Sequence, residues 1–248
     1  DQVKKDTAEK LAALYAERAR ILSERGMSMD DLLPRYACEK CSDTGYLENG
    51  ELCPCARLKL AGRKYSSSGI SENAGFDRFN ESIFKDAEQL KRTRRAAEIC
   101  AQYAENLEIG GAKGLLLMGE TGLGKTFLMD SIGREAIRRG YSVKKYTAYN
   151  LIDAALRAVR RHEAGPELTG AELLLLDDLG TEPMIPGVTI ETLFAAINER
   201  QFSGKATVIA TNLTKNELFT QYGERIFSRL FASREYAAIT LRGKDLRM

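Results

Sequence analysis

The run Gly119-Glu120-Thr121-Gly122-Leu123-Gly124-Lys125-Thr126 constrains this chain more than any other segment. It fits the pattern G-x-x-x-x-G-K-[ST] in full. Before it, Gly114–Met118 reads as a short buried strand; after it, a helix is predicted from Phe127 to Arg138. A strand that turns through glycines into a helix commits the chain to an α/β arrangement. The glycines let the backbone curl where a Cβ would stand in the way. Successive N–H groups and the helix N-terminus then face an anion. Lys125 is placed to reach terminal phosphates, and the Thr126 hydroxyl to help hold Mg²⁺. Residues 119–127, Phe127 included, are the expected contact surface for a nucleoside triphosphate.

From Gly114 onward, strand and helix patterns alternate. Strands are expected at Tyr141–Thr147, Glu172–Asp177, Ala206–Thr211 and Tyr236–Leu241. Helices are expected at Ala148–Glu163, Val188–Phe202, Lys215–Tyr222 and Arg225–Ala232. Such alternation implies a parallel sheet covered by helices on both faces. Ligands bind beyond the carboxyl ends of strands in open sheets of this kind. Leu173-Leu174-Leu175-Leu176 ends in Asp177 and Asp178, so two carboxylates emerge at that edge. Asp177 suits Mg²⁺ coordination through water, and Asp178 the orientation of an attacking water, a role that Glu182 nearby could share. Thr207–Thr211 repeats the pattern and ends in Asn212, a hydrogen-bonding group for a water or the γ-phosphate. Arg225 and Arg229 are four residues apart on one helix face. They are either solvated or an arginine finger that reaches a neighbouring subunit's γ-phosphate.

The amino-terminal part is of another kind. Residues 2–26 carry an apolar seam at Leu11, Leu14, Tyr15, Ile21 and Leu22 at near-helical spacing, with Gly26 as a stop. That helix packs on its own domain or docks on a partner. Cys38-Glu39-Lys40-Cys41 and Cys53-Pro54-Cys55 follow, two close thiol pairs that a hairpin over Asp43–Glu51 would bring together. Four thiolates suit tetrahedral Zn²⁺, whose binding would supply the folding energy that so small a segment lacks. His162, the one histidine, lies far along the chain on an expected exposed helix and is read as a surface residue; Cys100 is read as an ordinary helix thiol. Arg63–Gly69 is polar and serine-rich and reads as a linker. A helix over about 85–107 bears the basic cluster Lys91, Arg92, Arg94 and Arg95, read as a solvated face or a contact for DNA or an acidic partner.

With 248 residues the chain has room for one or two domains. A net charge of +2 provides no global field for nucleic acid, so any such contact rests on local patches. The longest apolar runs are strand-sized, far short of a membrane span, and nothing near Asp1 resembles a signal peptide. The expected compartment is the cytoplasm, with no membrane partner. The first residue is Asp and not Met, which fits a trimmed start.

Taken in order, the phosphate loop, Leu173 through Glu182, Ala210-Thr211-Asn212-Leu213 and Glu224-Arg225-Ile226-Phe227-Ser228-Arg229-Leu230 resemble a known family. It is the AAA+ ATPases of the DnaC/DnaI helicase-loader group, with their close relative, the IstB transposition helper. Tyr36 through Cys55, with Asp43-Thr44-Gly45-Tyr46 inside, is similar to the cysteine-rich module of such loaders; Phe76 and Phe79 resemble the family's aromatic approach to the ATPase domain. The resemblance implies a helical and four-cysteine zinc module at 1–68 that binds the hexameric replicative DNA helicase. It further implies an AAA+ domain at 69–248 with a five-stranded parallel sheet. It implies an ATP/ADP cycle with Mg²⁺, slow hydrolysis stimulated by partner or DNA, delivery of the helicase to single-stranded DNA, and self-association through the ATPase domain. By the same resemblance Asn212 is sensor 1 and Arg229 the arginine finger, with Arg225 beside it. Two departures stand out: Asp178 where many relatives carry Glu, and a sequence that ends at Met248 without a helical lid, which leaves Arg247 as the candidate for the lid's arginine.

Overall fold

Neighbouring leucines of the strand before the phosphate loop serve two different cores. In the computed structural model of the protein, Leu115 and Leu117 point into one apolar cluster and Leu116 and Met118 into the other. The two-residue period of a strand requires this when both faces of the sheet are covered. The structure describes residues 2–56, 68–107, 114–162, 165–166, 168–231 and 236–247. Most of the expected linker, Arg63–Ser67, and the expected helix ends at Glu163 and Ala232 lie outside the described residues.

Five parallel strands form the sheet: β1 (Gly114–Met118), β2 (Val143–Thr147), β3 (Leu173–Leu179), β4 (Ala206–Thr211) and β5 (Tyr236–Thr240). Their spatial order is β2-β3-β4-β1-β5, with every pairing parallel. The five-stranded parallel sheet expected from the alternation is thus present. One face is covered by α2 (Ala87–Glu105) and α3 (Lys125–Arg138), through Ala96, Cys100, Leu128, Met129 and Ile132. The other is covered by α4 (Ala148–Arg161), α5 (Thr189–Phe202) and α6 (Lys215–Phe231), through Leu151, Leu193, Ile197, Leu218 and Ile226. At the edge away from the ligand-binding ends, the fully buried Arg200 donates to the carbonyls of Leu168, Ala171, Glu172 and Ala206 and to the Thr207 hydroxyl.

One element differs from the sequence expectation for a physical reason. β3 continues to Leu179, beyond the expected end at Asp177, because a register irregularity between Leu176 and Leu179 absorbs the two aspartates without ending the pairing with β4. The two helices expected at 215–222 and 225–232 are present as the two halves of α6, which Gly223 separates at φ 73° and ψ 176°. The basic cluster on α2 is partly neutralised within the chain: Arg94 makes a two-pronged pair with Glu81, and Arg95 meets Glu98.

The chain divides into compact units at Cys53/Pro54, ahead of the expected junction at 68/69. The first unit begins with α1 (Gln2–Glu24). Of its expected seam only Leu22 is buried; Leu11, Leu14, Tyr15 and Ile21 are exposed. The hairpin expected over 43–51 is present, with Tyr46 bridged to Leu52, Leu47 N donating to Glu51 O, and Cys53 N to Gly45 O. No helix among the described residues is long and apolar enough to cross a membrane.

Candidate functional site: a phosphate loop beside two strand-end carboxylates

The phosphate loop turns on three glycines in positive φ, Gly119, Gly122 and Gly124, of which Gly124 is the left-handed N-cap of α3. No side chain caps that helix, so its first-turn N–H groups are directed to whatever the loop encloses. Lys125 is buried, and its Nζ donates to the carbonyls of Gly119 and Glu120, each at 2.7 Å, which holds the ammonium inside the loop. Burial pulls its pKa below the ordinary lysine value, while Asp178 and Asp177 pull the other way.

The adjoining strand ends bring the carboxylates to this loop. Thr126 Oγ1 donates to Asp177 Oδ1 across 3.3 Å, and the Asp178 N–H donates to the same oxygen at 3.0 Å. Hard oxygen donors so placed, a hydroxyl beside a carboxylate, fit Mg²⁺. Asp177 is buried behind them, whereas Asp178 is half-buried and lines the open cavity. Asp178 adopts φ 54°, a left-handed conformation that a non-glycine residue holds at a cost of about 1–2 kcal/mol. Burial, followed by the charge of Asp177, raises the Asp178 pKa above the usual aspartate value. On β4, the Thr211 hydroxyl donates to Leu179 O and accepts from Leu213 N, which ties the two strand ends and presents Asn212 to the cavity.

That cavity, about 370 Å³, runs from the loop to an aromatic wall of Phe79, Phe84 and Phe127, and Arg247 lies at its rim. Phe79 stands 5.7 Å from Phe84 and 6.4 Å from Phe127, centroid to centroid. The carboxyl-terminal tail crosses the loop: Leu241 N donates to Met118 O, and Leu246 N to Gly122 O. A side chain at Gly122 would overlap the Asp245 carboxylate. Gln89 of α2 clips the tail by exchanging two hydrogen bonds with the Lys244 backbone.

Other candidates lie elsewhere. Glu182 is buried with both oxygens engaged, by Gly180 N at 2.9 Å and by the Tyr222 hydroxyl, and it does not line the cavity. Arg225 and Arg229 are outside the cavity too. Their guanidiniums lie 4.2 and 6.0 Å from the Phe194 ring centroid, and Arg229 also lies 5.8 Å from that of Phe202, so both are on one face of α6. His162 is exposed at the carboxyl-terminal cap of α4.

Sequence reasoning missed Lys145 and Asp130. Lys145 Nζ lies 2.7 Å from Asp130 Oδ1 and 3.3 Å from Asp177 Oδ2. Burial pulls the lysine down, but the hydrogen bonds and charges of Asp130 and Asp177 together outweigh it and hold the lysine above its ordinary value. Burial also lifts the Asp130 carboxyl, even against the lysine. One signal was available: a lysine inside the sequence of a strand that pairs with a buried neighbour needs a counter-charge.

In the amino-terminal part, Cys38, Cys41, Cys53 and Cys55 place their sulfurs within 4.8 Å of one another, with Cys38 and Cys53 at 3.7 Å. A tetrahedron of Zn–S bonds has sulfur–sulfur edges of about 3.8 Å, so the set fits zinc. Asp43 turns the chain in positive φ, and its carboxylate accepts from the N–H groups of Ala37 and Cys38, which fixes the first thiol.

Residues 102–230, just over half of the chain, match the family model of IstB-like ATP binding proteins. The replicative helicase loader DnaI of Bacillus subtilis is 24% identical over 155 residues, 59% of this chain and 49% of that protein. The ATP-binding protein of insertion sequence IS5376 of Geobacillus stearothermophilus is 32% identical over 122 residues, 48% of this chain and 46% of its own length. The chain therefore spans about half the length of these curated relatives. A crystal structure of the DnaC helicase loader shares the fold, with a TM-score of 0.58 at 21% identity over 69% of this chain and 98% of that one.

Proposed function

This chain belongs to the IstB-like ATP-binding family, and from that premise we propose that it is a helicase loader: an ATPase that binds the replicative DNA helicase and delivers it to single-stranded DNA in the cytoplasm. The observation that carries the loader reading is the four-cysteine cluster ahead of the ATP-binding part. A relative named as a replicative helicase loader and the fold shared with another support it. The relative from an insertion sequence favours a second reading, an ATPase helper of a DNA transposase.

In the proposed chemistry, the loop N–H groups and Lys125 bind the phosphates, and the aromatic wall of Phe79, Phe84 and Phe127 receives the base. Thr126 and Asp177 would hold Mg²⁺, which would supply charge neutralisation for the triphosphate. Asp178 accepts a hydrogen bond from the attacking water and orients it in line, with Asn212 beside the γ-phosphate. An aspartate, one methylene shorter than glutamate, stands farther from that water, which suits slow turnover. Arg229, with Arg225, acts on the γ-phosphate of a neighbouring copy, so that ATP fixes a subunit interface and hydrolysis releases it. Arg247 adds a cation from the tail. Cys38, Cys41, Cys53 and Cys55 would hold Zn²⁺ as a structural ion, and the amino-terminal unit binds the helicase.

The test is a paired capture experiment, with the full chain offered to the replicative helicase and to an insertion-sequence transposase of the same organism. Helicase capture followed by ATP-dependent loading on single-stranded DNA is the expected result. Capture of the transposase alone would replace the loader reading with the second one.

A further inference from the structure

Lys145, Asp130 and Asp177 form a buried charge cluster that the nucleotide chemistry above leaves unexplained. The lysine sits between the carboxylates at 2.7 and 3.3 Å, and the three side chains are 11, 4 and 5% exposed. They come from three elements, β2, α3 and β3. In the β2–β3 register Lys145 stands opposite Leu175, and Asp177 follows two residues later on the same face, so strand alternation sends both toward α3. Asp130 is fastened from its other side by the Ser71 N–H, which donates to its Oδ2 at 3.3 Å.

The oxygens of Asp177 are thereby divided. Oδ1 faces the Thr126 hydroxyl and accepts from Asp178 N, while Oδ2 faces the lysine. Two enclosed carboxylates aimed at one point are the hard-oxygen donor set that divalent cations take. Here that point holds an ammonium.

We propose that Lys145 is a positioning residue that fills the cation place between Asp130 and Asp177, turning Asp177 Oδ1 toward Thr126 and preventing the two carboxylates from taking a divalent ion without nucleotide. The inference rests on Asp177 being the Mg²⁺-side carboxylate proposed above. A fixed positive charge beside a carboxylate in a poorly solvated site lowers its affinity for a second cation. The site accepts a divalent ion together with the triphosphate, whose oxygens supply the missing charge and donor atoms.

The test uses the full chain, Mg²⁺ alone, and a fluorescent ATP analogue. Lys145→Met is expected to lower the Mg²⁺ concentration for half-maximal analogue binding by about tenfold. It is also expected to gain a Mg²⁺-dependent rise in Tm without nucleotide, which the wild type lacks. Lys145→Arg keeps the charge and is expected to match the wild type in both readouts. Because Lys145→Met strands Asp130 as a buried lone charge and can unfold, the double variant Lys145→Met/Asp130→Leu removes both charges. That charge-neutral pair change is expected to return the midpoint toward the wild type and to lose the nucleotide-free rise in Tm, while Lys145→Gln, which keeps an amide donor for Asp130 but no charge, is expected to show the lowered midpoint. A wild-type midpoint in Lys145→Gln overturns the inference, as does a wild-type protein that Mg²⁺ alone stabilises as much as it does Lys145→Met. Analogue binding by the wild type that ignores Mg²⁺ altogether would sink the reading of Asp177, and this inference with it.

Discussion

Tyr222 of α6 donates its hydroxyl hydrogen bond to the Glu182 carboxylate, and both groups are buried. The bond joins the loop after β3 to the helix that carries Arg225 and Arg229 three and seven residues later. It also commits Glu182 to a structural task, with the Gly180 N–H on its other oxygen. Tyr222→Phe is therefore expected to cost about 1–3 kcal/mol in urea unfolding, since it leaves the second buried oxygen of Glu182 without its donor. Glu182→Gln keeps an oxygen for Tyr222 and is expected to retain turnover. Loss of turnover in that variant would return Glu182 to the chemistry.

Lys125→Ala is expected to abolish ATP binding in an equilibrium assay, because the ammonium enclosed by the Gly119 and Glu120 carbonyls is the cation the loop presents. Unchanged nucleotide affinity would rule the loop out as the site. Asp178→Asn is expected to bind ATP normally and to lower kcat by about 10²-fold or more, the range for losing a positioned acid–base group. A variant that turns over at the wild-type rate would remove Asp178 from the water-orienting role.

Arg229→Ala is expected to spare ATP binding and to suppress turnover of the assembled protein. Its guanidinium rests by Phe194 and Phe202, outside the cavity of its own chain, so any action on phosphate is in trans. Mixing Arg229→Ala with Lys125→Ala chains checks this: if the finger acts across subunits, the mixture regains activity. Two inactive variants that stay inactive together would count against it.

Stoichiometric zinc is expected by elemental analysis, with loss of the metal in Cys38→Ser. Chelation should melt the 38–55 hairpin, read by amide exchange, while nucleotide binding by the second unit persists. A metal-free sample with the hairpin fully protected would refute the zinc reading.

The stability of the α3 terminus carries a pH dependence of known sign. Arg138 above all, with Arg139, holds Glu135 below the ordinary glutamate pKa. Its stabilisation is full above the unfolded-state pKa and is lost as pH falls through the lower folded-state value. Glu135→Gln is expected to cost about 0.5 kcal/mol at neutral pH and nothing once the carboxylate is protonated, as followed by denaturant midpoints across pH.

The sequence by itself determined the parallel α/β core, because alternating apolar runs of strand and helix length have one economical way to bury both faces of a sheet. It also settled which residues stand at the carboxyl ends of β1, β3 and β4, since a motif at a strand end travels with its strand. The thiol cluster was legible for the same local reason: two close pairs on either side of a short hairpin meet. What tertiary structure alone decided were contacts between residues distant in sequence. No local pattern announces that Lys145 lies on Asp130 and Asp177, that Tyr222 holds Glu182, or that the tail crosses Gly122 and is clipped by Gln89. Those pairings depend on strand order and helix packing. Periodicity states which side of an element is buried, and only the assembled fold states against what.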